Sequence, residues 1–199
     1  APLQPDTGAI EQFRMPSKDG ESDFHAALYS CVINASRTQI WFTQLNGIVG
    51  GFDIETGKLE TSVDFPLGTI PHRMAIDDQD VIYVPLSGDG LVLAYDTRAR
   101  KELTRFPMPD RNSSPYAVTW DQRRRVVWVT GTNTDVIYRL DPKTGAVAQI
   151  PLPRPRAFLR MIDLDRETAD LWVTYAHLPT GYGPNYAVRI EPGDMPDAH

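Results

Sequence analysis

Apolar and polar positions form short alternating segments along most of the chain, and no comparable stretch has the i, i+3, i+4, i+7 spacing of an amphipathic helix. Four of these segments are apolar strands that carry an aromatic residue at the same place. The aromatic residues Trp41, Tyr83, Trp128 and Trp172 follow one another at intervals of 42, 45 and 44 residues. The chain is therefore built from a repeat of about 44 residues, and the repeated aromatic position predicts a packed core.

Other features keep the same period. An apolar strand precedes each aromatic strand, and a third strand follows it and ends in an acidic turn; two of these turns read Asp-x-x-Thr-Gly, at 53–57 and 141–145. Asp caps its own turn and Gly supplies the positive φ that reverses the chain. A fourth strand then runs into proline, which is expected at sheet edges. Four strands per repeat predict an all-β fold, a β-propeller of about four four-stranded blades.

The repeat places the blades at about 24–66, 70–107, 115–152 and 158–191 of a single domain that spans 1–199. Residues 8–16 match an outer strand without the rest of its blade, and the last blade stops after its third strand. Two arrangements follow. The orphan strand completes the last blade in a closed four-bladed ring, or the chain is part of a larger propeller of the seven-bladed type. The second arrangement leaves open sheet edges, so missing blades of a longer chain or self-association would cover them.

Composition excludes several classes of protein. Of the 199 residues, 41% are hydrophobic and 23% charged, as in soluble globular domains. The net charge of −6 argues against a nucleic-acid partner, and no apolar run reaches the ~18–20 residues that membrane insertion needs. A single cysteine and the lack of any Cys/His cluster give no zinc site. The basic run 123–125 lies between two strands and reads as a solvated hairpin turn.

One loop is a candidate for ligand or protein contact. It runs from 175 to 183, is rich in Tyr, Gly and Pro, and contains Tyr175 and His177. Rigid aromatic side chains give contact area at a low entropic cost, so we expect these two residues to bind a ligand. A plain long hairpin is the alternative.

The repeated sequence motifs resemble those in the blades of the virginiamycin B (streptogramin B) lyase family. The resemblance rests on Pro-His-x-x-x-x-Asp at 71–77, Ile-Trp-Phe-Thr-Gln-x-Asn-Gly at 40–47, Phe-Asp-x-x-Thr-Gly-Lys at 52–58 and Phe-Pro-Leu at 65–67. It spans residues 5–191. It implies a propeller that opens a cyclic ester by elimination with a magnesium ion, in which a base removes a proton and the metal stabilises the enolate. It also implies a bacterial protein of the periplasm or a secreted one.

The resemblance also implies site residues. The catalytic histidines of the family lie in the Pro-His position, which falls on His72, with His25 in the equivalent place one blade earlier. Tyr116 occupies this place one blade later, and Phe158 the next. His72 and His25 are therefore the candidate catalytic residues, and Tyr116 is a candidate ligand contact at the same end of the central channel.

The family's acidic positions are not acidic here. They hold Gln44, Leu86, Gly131 and Tyr175, and Ile70 stands two residues before His72. Magnesium needs oxygen ligands, usually with a carboxylate, so we predict no metal site in this chain and expect magnesium only with lyase activity. The leading hypothesis is a binding propeller that holds a small ligand or a protein partner. The alternatives are a lyase of the virginiamycin B type and a structural repeat module of a larger secreted protein.

Overall fold

The computed structural model describes residues 8, 10, 12–18, 27–176 and 186–193. Apart from one 3₁₀ turn at Arg111–Ser113, the regular structure of this part of the chain is β-strand. The strands are β1 (Leu28–Ile33), β2 (Gln39–Gln44), β3 (Ile48–Asp53), β4 (Leu59–Asp64), β5 (Ala75–Ile76), β6 (Val81–Leu86), β7 (Leu91–Asp96), β8 (Lys101–Pro107), β9 (Pro115–Asp121), β10 (Val126–Gly131), β11 (Val136–Leu140), β12 (Val147–Pro151), β13 (Ile162–Leu164), β14 (Leu171–Tyr175) and β15 (Tyr186–Ile190).

The strands form four antiparallel sheets in chain order, which we number as blades 1 to 4. The sheets are β1-β2-β3-β4, β5-β6-β7-β8, β9-β10-β11-β12 and, in the described part of the chain, the three-stranded β13-β14-β15. Each strand pairs with its neighbour in sequence. This meander is the blade topology that the 44-residue repeat predicts, and the predicted all-β architecture is confirmed.

The turn after the third strand forms as its sequence predicts. In blade 1, Asp53 Oδ1 accepts hydrogen bonds from the Thr56 amide and the Thr56 hydroxyl, both at 2.7 Å. These hydrogen bonds lower the pKa of Asp53, and the one from the Thr56 hydroxyl has the largest effect. Gly57 follows with φ of +65°. Glycine adopts this left-handed conformation with the least steric strain because it has no Cβ. The short local pattern is therefore sufficient to form this turn at the end of β3.

The repeated aromatic residue packs each blade onto the next one. Trp41 of blade 1 shares a buried cluster with Val84 of blade 2, and its ring centroid lies 5.5 Å from that of Tyr95. Tyr83 and Trp128 make the corresponding contacts with blades 3 and 4. Trp41 and Trp128 have no exposed surface. The core is thus a series of blade-to-blade interfaces.

Trp172 departs from this rule. We predicted that it lies in the core, like its three equivalents, but 44% of its surface is exposed. The reason is its place in the repeat. The aromatic residue of each blade points towards the following blade, and in the described part of the chain no blade follows blade 4.

The N-terminal segment 12–18 lies on the opposite open face, that of blade 1. Phe13 packs against Phe52, with ring centroids 6.5 Å apart, and the Gln44 side chain donates a hydrogen bond to the Pro16 carbonyl at 3.1 Å. Lys18 forms an ion pair with Asp64 at 2.5 Å. Residues 12–18 include no strand, and the outer edge of blade 4 remains formed by β15 in the described part.

The basic run 123–125 forms the predicted turn between β9 and β10, but it is not merely solvated. The guanidinium of Arg123 donates to the Glu167 and Thr168 carbonyls, and that of Arg124 donates to Ala169 O at 3.0 Å. These acceptors lie in the corresponding turn of blade 4. The run therefore joins two neighbouring blades at one end of the channel.

Candidate functional site

The opposite end of the channel is formed where each blade enters its inner strand. Three residues in these entries have a left-handed φ of 52°, 50° and 47°: Ile70, Ser114 and Phe158. Two residues after each of them come His72, Tyr116 and Arg160, at intervals of 44. In blade 1, the Ala27 carbonyl accepts from Leu45 N at 3.2 Å, just as the Ile70 carbonyl accepts from Ser87 N at 3.2 Å. Tyr29 is therefore the counterpart of His72.

One assignment made from the sequence is thereby corrected: Arg160, and not Phe158, takes the position of His72 in blade 4. In blade 1 this position holds Tyr29. The catalytic role of His25, which lies outside the described residues, stays a prediction. The aromatic spacing of 44 could have located Arg160 by counting from Tyr116. Phe158 lies in the apolar segment 158–162 and is aromatic like Tyr116, so the sequence alone favours Phe158 for this position.

These four residues meet in space, and we call Tyr29, His72, Tyr116 and Arg160 the channel ring. The imidazole of His72 lies 4.0 Å from the Tyr116 ring and 4.9 Å from the Tyr29 ring, centroid to centroid. The two tyrosine rings are 5.7 Å apart in an edge-to-face arrangement. The structure thus brings together His72 and Tyr116, as expected, and adds two residues that sequence reasoning missed.

Arg160 closes the ring between blades 1 and 4. Its Nη2 donates to the hydroxyl of Tyr29 at 2.7 Å and also to the hydroxyl of Tyr116. Its guanidinium carbon lies 4.5 Å from the Tyr116 centroid and 5.6 Å from the Phe158 centroid, both within cation–π range. One side chain therefore contacts the inner segments of three blades.

The hydrogen bonds of His72 fix its tautomer. The Ser87 hydroxyl donates its proton to the Pro115 carbonyl, so it can only accept from His72 Nδ1, with which it is in hydrogen-bonding contact. A neutral imidazole then carries its proton on Nδ1 and a lone pair on Nε2. Burial, followed by the charges of Arg160 and Arg73, lowers the pKa of His72 to about 4. His72 is therefore neutral at pH 7.

Arg73 lies beside the ring. Its backbone bridges to Ala117 in parallel pairing, with Arg73 N donating to Tyr116 O at 2.9 Å. The guanidinium carbon lies 5.3 Å from the Tyr29 centroid. Its Nε is buried without a hydrogen-bond partner in the described part of the chain. Arg73 therefore adds a second positive charge to this end of the channel.

The ring does not fit a magnesium ion. Its donors are one imidazole and two tyrosine hydroxyls, and two guanidinium groups stand beside them, whereas Mg²⁺ takes oxygen ligands with at least one carboxylate. Within the described residues, no group of three or more His, Cys, Asp or Glu is placed to hold a metal. The positive charge of Arg73 and Arg160 would oppose a bound cation.

The remaining predicted site residues do not join the ring. Tyr175 is 2% exposed in the core between blades 3 and 4, with its ring 6.2 Å from that of Tyr186, and burial raises its pKa. His25 and His177 lie outside the described residues. The ligand contact predicted for Tyr175 would thus have to reach a side chain inside the protein.

Two grooves lie away from the centre of the ring. The first, of about 650 Å³, is on the open face of blade 1, where Phe13, Phe42 and Phe52 line it, and it reaches Tyr29. The second, of about 460 Å³, lies at the other end of the channel around Ile76, Trp120 and Leu164. The described residues contain no helix that is long and apolar enough to cross a membrane.

The arrangement of these blades is found in solved structures of other proteins. The chain superposes on virginiamycin B lyase from Staphylococcus aureus with a TM-score of 0.76 and 18% identity, covering 94% of this chain and 61% of the lyase. A streptogramin B lyase structure gives a TM-score of 0.73 at 17% identity, with 91% and 59% covered. The fold of the present chain is therefore similar to that of the streptogramin B lyases.

The similarity is one of fold and extends beyond enzymes of this type. The WD40 repeats of RRP9 superpose with a TM-score of 0.64 at 10% identity, covering 81% of this chain and 51% of that one. The chain spans about three-fifths of the length of the two lyases. No family model matches the sequence, and no curated protein matches it. The resemblance seen in the repeat text is thus confirmed for the propeller fold.

Proposed function

We propose that this protein is a binding propeller that holds a small ligand at the channel ring. The observation that carries the proposal is the convergence of Tyr29, His72, Tyr116 and Arg160 from equivalent positions of four blades. A small number of polar groups that converge among aromatic side chains is typical of a small-molecule site. The half-buried state of His72 and Arg160 leaves both partly accessible to a ligand.

The chemistry of the ring supports binding rather than metal-dependent catalysis. It offers the aromatic face and the hydroxyl group of Tyr29, an imidazole acceptor at Nε2 of His72 and the guanidinium group of Arg160. The magnesium-dependent opening of a cyclic ester, which the resemblance implies, stays a prediction, and the donor set around His72 does not favour it. A purely structural repeat module is the other alternative. Residence in the periplasm or outside the cell likewise remains a prediction.

A fragment screen by two-dimensional NMR tests the proposal. The probes are neutral and charged aromatic fragments, added to the wild-type protein, His72→Gln and Arg105→Gln. We expect hits on the wild type to weaken about tenfold or more in His72→Gln, because the ring loses its imidazole while glutamine can still donate to Ser87. Arg105→Gln is the matched control, since Arg105 pairs with Glu102 on β8, outside the ring.

The control variant should bind every fragment as the wild type does. Hits that bind equally well to His72→Gln would contradict the proposal, because the site would then lie elsewhere. Incubation with a streptogramin B antibiotic, followed by mass spectrometry, tests the lyase alternative. Turnover that depends on magnesium and His72 would favour the enzyme over the binding protein.

A further inference from the structure

Two arginine side chains at the channel ring have no acidic partner among the described residues. Six other arginines of this part of the chain form ion pairs with carboxylates: Arg98, Arg100, Arg105, Arg124, Arg125 and Arg189. Arg73 and Arg160 instead face aromatic rings and hydroxyl groups. The ring is therefore a site of unbalanced positive charge in a protein whose net charge is −6.

The two guanidinium groups both contact Tyr29. Arg73 lies over the ring of Tyr29, and Arg160 donates to the hydroxyl of that same residue. Both charges also disfavour protonation of His72. The charges of two arginines that both contact Tyr29 repel each other, and a negative group near them would offset this repulsion. The buried Nε of Arg73 also has no acceptor in the described part of the chain.

The hydroxyl of Tyr29 leaves a donor free for a ligand. Its oxygen accepts a hydrogen bond from Arg160, and a hydroxyl that accepts still has one proton to donate. The ring thus presents this O–H donor beside two guanidinium groups, whereas the hydroxyl of Tyr116 belongs to a residue that is only 4% exposed. A carboxylate accepts such bonds and forms charge-assisted, often bidentate pairs with arginine.

We propose, building on the proposed function, that the channel ring binds a small organic carboxylate whose oxygens accept from Arg73, Arg160 and the hydroxyl of Tyr29. The apolar part of the ligand lies against the rings of Tyr29 and Phe158, which are only partly buried. A phosphate ester shares the oxyanion chemistry, so the experiment must separate the two classes.

Isothermal titration with three probes of the same shape tests this inference. The probes are benzoate, neutral benzamide and phenyl phosphate. We expect benzoate to bind at least about tenfold more tightly than benzamide, and Arg160→Gln to lose at least about tenfold in benzoate affinity. Arg105→Gln should stay within about twofold of the wild type, because its charge lies outside the ring. Binding should weaken as salt rises.

A second variant guards against misfolding. Arg160→Lys keeps the charge and loses the planar fork, so it should bind benzoate more weakly than the wild type and more tightly than Arg160→Gln. The near-UV circular dichroism of both variants should match that of the wild type. Equal loss in both variants with an unchanged spectrum would overturn the role assigned to the charge.

The outcomes separate this inference from the proposed function. Benzamide that binds as tightly as benzoate at the ring overturns the anion inference and leaves the binding function standing. Phenyl phosphate that binds tighter than benzoate overturns the carboxylate class. Failure of all three probes, together with failure of the fragment screen, overturns both.

Discussion

His72 is the residue in which the geometry of the ring has its clearest chemical effect. Its Nδ1 is committed to Ser87, its faces lie against Tyr29 and Tyr116, and two arginines stand nearby. Burial, followed by the positive charges of Arg160 and Arg73, favours the neutral imidazole over the imidazolium. The residue is therefore a hydrogen-bond acceptor at Nε2 under ordinary conditions, and a ligand hydroxyl or amide can donate to it.

This protonation state predicts a pH dependence of stability. The pKa of His72 is about 4 in the folded chain and 6.5 when unperturbed. Between these values the unfolded state binds a proton and the native state does not, so the free energy of unfolding falls as the pH drops from 6.5 towards 4. The loss attributable to His72 amounts to about 3 kcal/mol at most.

Denaturant melts of the wild type and His72→Gln at several pH values between 7 and 4 measure this effect. The difference between the two proteins isolates His72 from the other histidines. The wild type should lose more stability than the variant as the pH falls, by about 2–3 kcal/mol over this range. Parallel pH profiles would mean that His72 titrates normally.

At the scale of the blade, the same aromatic position of the repeat is buried in one blade and exposed in another. Trp128 is fully buried against blade 4, whereas Trp172 is 44% exposed on the open face of that blade. Both occupy the same place in the repeat. What differs is that a following blade packs onto Trp128, whereas none packs onto Trp172 in the described part of the chain. The packing energy therefore belongs to the interface and not to the blade alone.

This contrast predicts unequal costs for the same substitution. Trp128→Ala should reduce the free energy of unfolding by about 3–5 kcal/mol, because it leaves a cavity between two blades. Trp172→Ala should cost less than about 2 kcal/mol, since water already reaches much of the side chain. Chemical denaturation of both variants measures the difference. Similar losses would show that Trp172 is as well packed in solution as Trp128.

At the scale of the whole molecule, two apolar faces stand open in the described part of the chain. On blade 1, Leu28 and Ile33 are 54% and 49% exposed beside a groove of about 650 Å³, and on blade 4 Met161 and Trp172 are 43% and 44% exposed. The three internal interfaces join faces of these same two kinds. A blade 4 face is therefore matched in chemistry to a blade 1 face, within a chain or between chains.

We accordingly expect the protein to self-associate as its concentration rises. Light scattering on a size-exclusion column should give a mass above 22.3 kDa, and Trp172→Arg should lower it. Leu103→Arg is the matched control, because Leu103 is 47% exposed on the outer strand β8. A mass of one chain at every concentration would contradict this expectation.

The sequence by itself determined the strands, the turns and the blade repeat of this protein. Asp53, Thr56 and Gly57 make their turn through contacts within five residues, and each apolar alternation depends only on its own strand. The aromatic period located every blade because each blade must bury the same side of its sheet against its neighbour. The resemblance to the streptogramin B lyase family pointed to His72 and Tyr116 at one end of the channel.

Only the tertiary structure decided which residues complete the site. Arg160 reaches Tyr29 across 131 positions of sequence. No local pattern encodes this contact, because it depends on how the arc of blades turns its inner segments towards one another. The same arc buries Tyr175, exposes Trp172 and places two arginines beside His72. Strand and turn follow from neighbours in sequence, whereas charge balance and burial follow from neighbours in space.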